Sequence, residues 1–335
     1  MSRRISGLAI AVFLVLSMPG WAAAPIGPRL GVVTFDPEHG SRLITIDPAG
    51  ESAQTLIDEP GSSRPSWSAD GAVLALATRG IDEEWPVVAV ARVGSDKLRF
   101  YRRAVLDGGS DPVIAPDGQS VIYARARFVK ELPGRENYLF KGSLWSLDLA
   151  SGSVRQRTRW RLGFPVVPNS LSPDGSTLAA AAYGLRGWEA VAIDLRSGRT
   201  RRLAWEAEDP MFSPDGSQVA FIRWKNWRRG AADDGKQPIY ELRVTSVGDF
   251  PHSRLVLRRK GLLAWPSWDP SGNRLSFTKS HVFENGYEDP EAGDKLMSIN
   301  VDGTCLTRVL TAPDLTVLGA AWQPGLGREA GPISC

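Results

Sequence analysis

The 335-residue chain has little of several things. It holds only two cysteines, Cys305 and Cys335. That excludes a dense disulfide framework and any cysteine-rich metal site. Its three histidines, His39, His252 and His281, have no partner at the short spacing of a ligand pair. No metal and no cofactor is therefore expected. Charge of one sign is also lacking, because the net charge is only +3. Without Arg3 and Arg4 the count falls to 38 basic and 37 acidic residues. A nearly neutral chain is not a general polyanion binder, so nucleic acid is not an expected partner. Long apolar runs are absent past the first twenty residues, so no stable membrane insertion is expected.

The N-terminus has what the rest lacks. Arg3 and Arg4 precede LAIAVFLVLSMP and then GWAAA. A basic start, a short apolar centre and small residues make a secretory signal peptide, 1–22, cut after Ala22. The mature protein is expected to be periplasmic or secreted. In such a compartment Cys305 and Cys335 can bridge, closing a loop worth roughly 3–4 kcal/mol. They can equally remain two separate thiols.

What recurs decides the fold. RPSWSADGAVLALAT, DPVIAPDGQSVIYAR, VPNSLSPDGSTLAAAAY, DPMFSPDGSQVAFIR, WPSWDPSGNRLSFTK and the shorter GAAWQPG align on Gly71, Gly118, Gly175, Gly216, Gly272 and Gly325. The spacings are 47, 57, 41, 56 and 53 residues, the period of a repeat architecture. In each unit a strand runs into a Ser-Pro-Asp-Gly type of turn, and an alternating strand follows. A second hairpin lies further on, as in RLITIDPAGESAQTLI (42–57), SLWSLDLASGSVRQRT (143–158) and KLMSINVDGTCLTRVL (295–310). Four antiparallel strands per unit make a propeller blade. GVVTF (31–35) has no first strand before it, and GAAWQPG has no second strand after it. Joined, they complete a sixth blade from the two termini and remove the open edges. The expectation is an all-β, six-bladed β-propeller over 29–325, closed by N- and C-terminal strands sharing one blade, with a tail at 326–335.

The motifs WSADG, APDGQSVIYA, SPDGSTLAAA, SPDGSQVAFI and WDPSGNRLSF resemble the repeats of the TolB-like six-bladed propellers of bacterial envelopes. The resemblance covers nearly all of the mature chain. It implies a periplasmic, non-catalytic interaction platform that binds an envelope or secreted protein or peptide, acting as a monomer. The α/β domain that precedes the propeller in the namesake protein is not expected here, since only a few residues separate the expected cleavage site from the first strand.

The serine and aspartate of the repeat lack the G-x-S-x-G context of a nucleophile and the carboxylate spacing of a calcium loop. They read as turn residues, and no catalytic residue is assigned. Binding is expected on the face carrying the second-to-third-strand loops, which alone interrupt the repeat. Candidate contacts there are Arg125, Arg127, Trp188, Arg223, Trp224, Trp227, Arg228 and Tyr287. Aromatic and arginine side chains are the usual anchors of interfaces. The competing reading of Trp224 and Trp227 is a pair that packs its own loop down. Acidic residues of 284–294 give the same face a second charge. Arg64, Asp111, Asp209 and Trp265 precede the first strands and should ring the channel mouth. If the protein is instead a lyase or glycosidase acting on polysaccharide, Asp111 and Asp209 supply its carboxylates.

Overall fold

The computed structural model describes residues 29–36, 40–46, 54–58, 64–78, 85–93, 95, 97–106, 111–132, 137–159, 161–162, 166–184, 187–225, 239–250, 252–280, 295–311 and 316–324. The signal peptide, the C-terminal tail and most of the second-to-third-strand loops fall outside them. The described residues form six antiparallel sheets and no helix.

Blade 1 joins both ends of the chain. It comprises β1 (Arg29–Asp36), β2 (Gly40–Ile46) and β3 (Gln54–Asp58), with β25 (Thr316–Gln323) as its innermost strand. Leu30 pairs with Trp322 and Val32 with Ala320, so the two termini are zipped into one sheet. Blade 2 holds β4 (Ser66–Trp67), β5 (Val73–Thr78), β6 (Val87–Arg92) and β7 (Arg99–Val105). Blade 3 holds β8 (Val113–Ile114), β9 (Ser120–Leu132), β10 (Asn137–Asp148) and β11 (Val154–Gln156), and a short fifth strand, β12 (Arg161–Leu162), also pairs with β10. Blade 4 is β13 (Val166–Leu171), β14 (Thr177–Gly184), β15 (Gly187–Asp194) and β16 (Thr200–Trp205). Blade 5 is β17 (Ala207–Phe212), β18 (Gln218–Lys225), β19 (Ile239–Ser246) and β20 (Arg254–Lys260). Blade 6 is β21 (Leu262–Trp268), β22 (Arg274–Ser280), β23 (Lys295–Asn300) and β24 (Thr307–Thr311).

The repeated turn is a hydrogen-bonded unit. The Ser213 hydroxyl donates to Asp215 Oδ1 at 2.6 Å, and the Ser217 amide donates to the same oxygen at 3.0 Å. The Gln218 amide returns to Ser213 Oγ at 3.0 Å. Ser68–Asp70 and Ser172–Asp174 repeat this arrangement. Hydroxyl and amide donors stabilise the ionised carboxylate. Asp215 is accordingly pulled down to about 2, first by Ser213 and Ser217, and Asp70 and Asp174 shift the same way.

The turn glycine has a further job. Gly216 has φ of +72°, and a Cβ there would lie 2.8 Å from Cδ of Pro173 in the preceding blade's turn. Gly71 would meet the carbonyl of Pro324, and the Gln323 side chain donates to the Gly71 carbonyl at 2.8 Å. Each turn thus seats its glycine against its neighbour, and the ring closes through the C-terminal strand. Serines add a second set of inner joints. The Ile114 amide donates to Ser66 Oγ, Phe212 to Ser170 Oγ, and Trp322 to Ser267 Oγ, at 3.1, 2.9 and 3.2 Å. Between the blades lie apolar clusters, such as Leu242, Leu263, Trp268, Phe277 and Ile299 at the junction of blades 5 and 6. Cys305 is disulfide-bonded, while Cys335 lies outside the described residues.

Candidate site at the channel mouth

The inner strands surround a cavity of about 410 Å³. Trp67, Ile114, Met211, Phe212, Trp268 and Trp322 make its walls largely apolar. At the end away from the turns, the residue seven positions before the turn glycine of blades 2 to 6 is Arg64, Asp111, Pro168, Asp209 or Trp265. A proline or, in blade 4, an asparagine follows it. Proline supplies no ladder hydrogen bond, and the registers of blades 4, 5 and 6 each shift here, at Pro168/Ser170, Glu208/Met211 and Ala264/Ser267. These bulges free the side chains of Asn169 and Asp209 to bond across the blades.

A polar chain results. Arg64 Nη2 donates to the Asn169 carbonyl at 3.1 Å, from blade 2 to blade 4. Asn169 Nδ2 donates to Asp209 Oδ1 at 3.2 Å, and the Trp265 amide donates to Asp209 Oδ2 at 2.9 Å. Asp209 and Trp265 both hold positive φ, +52° and +53°, directly before a proline. Strain of this kind costs of order 1–3 kcal/mol and clusters at functional sites.

Electrostatics set the mouth apart from the turns. Burial pushes Asp111 up to about 6, opposed by the Arg64 guanidinium and reinforced by the Asp209 charge. Burial and Asp209 together push Glu208 up to about 8. Arg64 is 4% exposed, and its Nη1 has no hydrogen-bond partner among the described residues. A buried, unpaired guanidinium nitrogen leaves a place for an acceptor.

Of the four residues expected at the mouth, Arg64, Asp209 and Trp265 are joined by hydrogen bonds through Asn169, and Asp111 feels the Arg64 and Asp209 charges. Asn169 and Glu208 were not foreseen. The exchange of the usual X-Pro for Pro168-Asn169 is the sequence signal that marks Asn169, whereas Glu208 carries no signal beyond its position beside Asp209.

The loop-face candidates are scattered. Arg125 is half-buried and bonds the Arg103 and Val105 carbonyls of blade 2, at 2.6 and 3.3 Å. Its guanidinium also lies 4.6 Å from the Trp145 ring centroid. Trp224 is half-buried and packs on the cluster between blades 5 and 6. Arg223 beside it is half-buried, with its Nε unpartnered among the described residues. Trp188 meets Tyr183 edge-on, with centroids 5.4 Å apart. Arg127 sits on β9 opposite Lys141, and its side chain lies outside the described residues. Trp227, Arg228 and Tyr287 lie outside them entirely, as do His39 and His281. His252 is exposed beside Asp249 in a third-to-fourth-strand turn. Among the described residues no cluster of His, Cys, Asp or Glu suits a metal ion. None of their elements is a helix long and apolar enough to cross a membrane.

No protein-family model matches this sequence, and no curated protein matches it. Solved structures do. TolB from Acinetobacter baumannii superposes with a TM-score of 0.68 at 16% identity, covering 89% of this chain and 67% of its own. A putative TolB from Agrobacterium tumefaciens gives 0.59 at 17%, covering 89% and 98%. A chain of the nidogen/laminin complex gives 0.62 at 8%, covering 89% and 99%. At these identities the likeness establishes the six-bladed fold, which TolB propellers share.

Proposed function

We propose that the chain is an exported, non-catalytic binding propeller that captures a protein or peptide partner at the channel mouth and the loops around it. The observation that carries this is the buried, unpartnered Arg64 Nη1 beside an apolar cavity that Arg64 helps to line. A partner carboxylate, from a chain terminus or a side chain, completes that guanidinium, and an adjoining apolar side chain enters among the tryptophans. The charge-assisted bond is strong because its surroundings are already desolvated. The bonded chain from Arg64 to Trp265 holds the rim in shape before the partner arrives, which lowers the ordering cost of binding. Likeness to TolB structures agrees with such a role, and the N-terminal signal supports export to the periplasm.

Peptide-library selection against the folded propeller tests this. The expected outcome is enrichment of sequences pairing a carboxylate with a large apolar residue, lost in Arg64→Gln. Retention of the same sequences by that variant would place the site elsewhere.

A second reading is favoured by one observation: Asp111 and Glu208 are both raised into the range where a carboxyl acts as a general acid. Under it the mouth cleaves polysaccharide. Turnover of an envelope or plant polysaccharide that disappears in the Asp111→Ala, Asp209→Ala double variant would establish it.

A further inference from the structure

On the flank of the ring, between blades 3 and 4, lies a cleft of about 840 Å³. Its origin is a break in the outer edge of blade 3. β11 ends after three residues, and β12 rejoins β10 only at Gly142 and Lys141. In between, the Leu144 amide is taken by Thr158 Oγ1 at 2.9 Å, and the Arg157 amide donates to the Leu144 carbonyl at 2.8 Å. The cleft runs from this edge onto Glu189, Val191 and Ile193 of β15.

The recess is basic on both sides. Arg157 and Arg159 come from the interrupted edge of blade 3, Arg196 and Arg202 from blade 4. Among the described residues Glu189 is the only acidic one lining it, and Arg202 Nε engages it at 2.6 Å. Arg157, Arg159 and Arg196 are exposed, and the Arg196 charge is felt by Asp194, whose carboxyl it helps to hold below its ordinary value. The floor is aliphatic, with Leu144, Val166, Val191 and Ile193.

Arginine on outer strands often serves only to discourage edge pairing. These arginines differ in lining a recess with an apolar floor. We propose that this cleft is a second interface, which takes an extended acidic peptide segment with aliphatic residues interspersed. Three features select that partner. The excess positive charge calls for carboxylates. The aliphatic floor calls for apolar side chains. A recess also suits a single chain better than the surface of a bilayer. From Glu189 to Ile193 the cleft follows β15 for about 13 Å, at about 3.3 Å per residue, room for about four or five extended residues.

The test uses a fluorescein-labelled peptide of alternating Glu and Val, titrated with the mature protein at low ionic strength and followed by anisotropy. Saturable binding is expected. Arg157→Ala, Arg159→Ala should weaken it about tenfold and Arg196→Ala severalfold, about 1.4 kcal/mol per factor of ten. The charge-matched pair Lys97→Ala, Arg103→Ala on blade 2 should leave it within about twofold. Arg64→Gln should not change it, so this interface and the channel mouth stand or fall separately. The inference is overturned by an unaltered affinity in the cleft variants or an equal loss in the blade 2 pair. Tighter binding of an oligouronate or of phosphatidylglycerol vesicles overturns it as well.

Discussion

Glu208→Gln offers the sharpest check on the electrostatics of the channel mouth. The folded state holds Glu208 at about 8, because burial and then the Asp209 charge disfavour its ionised form. The unfolded chain releases that proton near the ordinary value of 4.5. Between those two values the native state binds one more proton than the unfolded state, so stability must fall as pH rises. The slope is about 1.4 kcal/mol per pH unit for a single group. From pH 5 to pH 7 the native protein should therefore lose about 3 kcal/mol through Glu208 alone. Asp111, raised from 3.8 to about 6, adds a smaller loss in the same direction, ending near pH 6. Glutamine keeps the shape of the protonated acid and cannot ionise. The variant should show a much flatter profile, nearly matching the native protein at pH 5 and exceeding it at pH 8. Urea unfolding at unit intervals over this range gives the comparison directly, with a constant m-value confirming that the same surface is exposed. Parallel profiles for the two proteins would refute the reasoning, since Glu208 would then ionise freely in the fold.

Two further substitutions probe the ring and the rim. Gly216→Ala should cost about 2–3 kcal/mol, because the backbone is left-handed and the Pro173 ring must move, whereas Gly198→Ala, also left-handed but with nothing within 4 Å, should cost only about 1 kcal/mol; thermal unfolding separates them. Asp209→Asn turns one of its two acceptors into a donor facing either Asn169 Nδ2 or the Trp265 amide, a loss of about 1–3 kcal/mol, and lowers the titration points of Asp111 and Glu208, which carbon-13 NMR of the carboxyls can follow.

The architecture was legible because its determinants are local. In blades 2, 4 and 5 the turn is a serine, an aspartate and a glycine within six residues, with hydrogen bonds at separations of two and five. Closure followed from a missing first strand at one end and a missing second strand at the other. The mouth was legible in part, since position in the repeat places Arg64, Asp111, Asp209 and Trp265 together. Their bonding was not, because Arg64 meets Asn169 across 105 residues of sequence and Asn169 meets Asp209 across 40. Nothing in the spelling of a strand tells which neighbour across a ring it will face. The flank cleft was hidden for another reason. VRQRTRWRL alternates like one uninterrupted strand, yet among its described residues only Val154–Gln156 and Arg161–Leu162 pair in the ladder. Arg125 illustrates the same limit: its residue type suits a binding face, while its hydrogen bonds tie blade 3 to blade 2.

The two ends of the inner strands carry aspartates of opposite character, and this divides the molecule by task. At the turn end Asp70, Asp174 and Asp215 sit in solvent, each surrounded by its own serine and amide donors, and all are shifted down. They stay ionised to lower pH than a free carboxyl, and every lone pair engaged locally is one not offered to a ligand. At the mouth Asp111 and Glu208 are desolvated and shifted up, beside an arginine whose Nη1 lacks an acceptor. Charge there changes as pH passes about 6 and about 8 and with whatever enters the channel. A carboxylate bound to Arg64 would draw away the positive charge that now favours ionised Asp111, so binding should be accompanied by proton uptake at that residue. The recurrent turn therefore supplies a rigid, electrostatically quiet base, and responsiveness is confined to the opposite rim, where the repeat gives way to Asn169, Asp209 and Trp265.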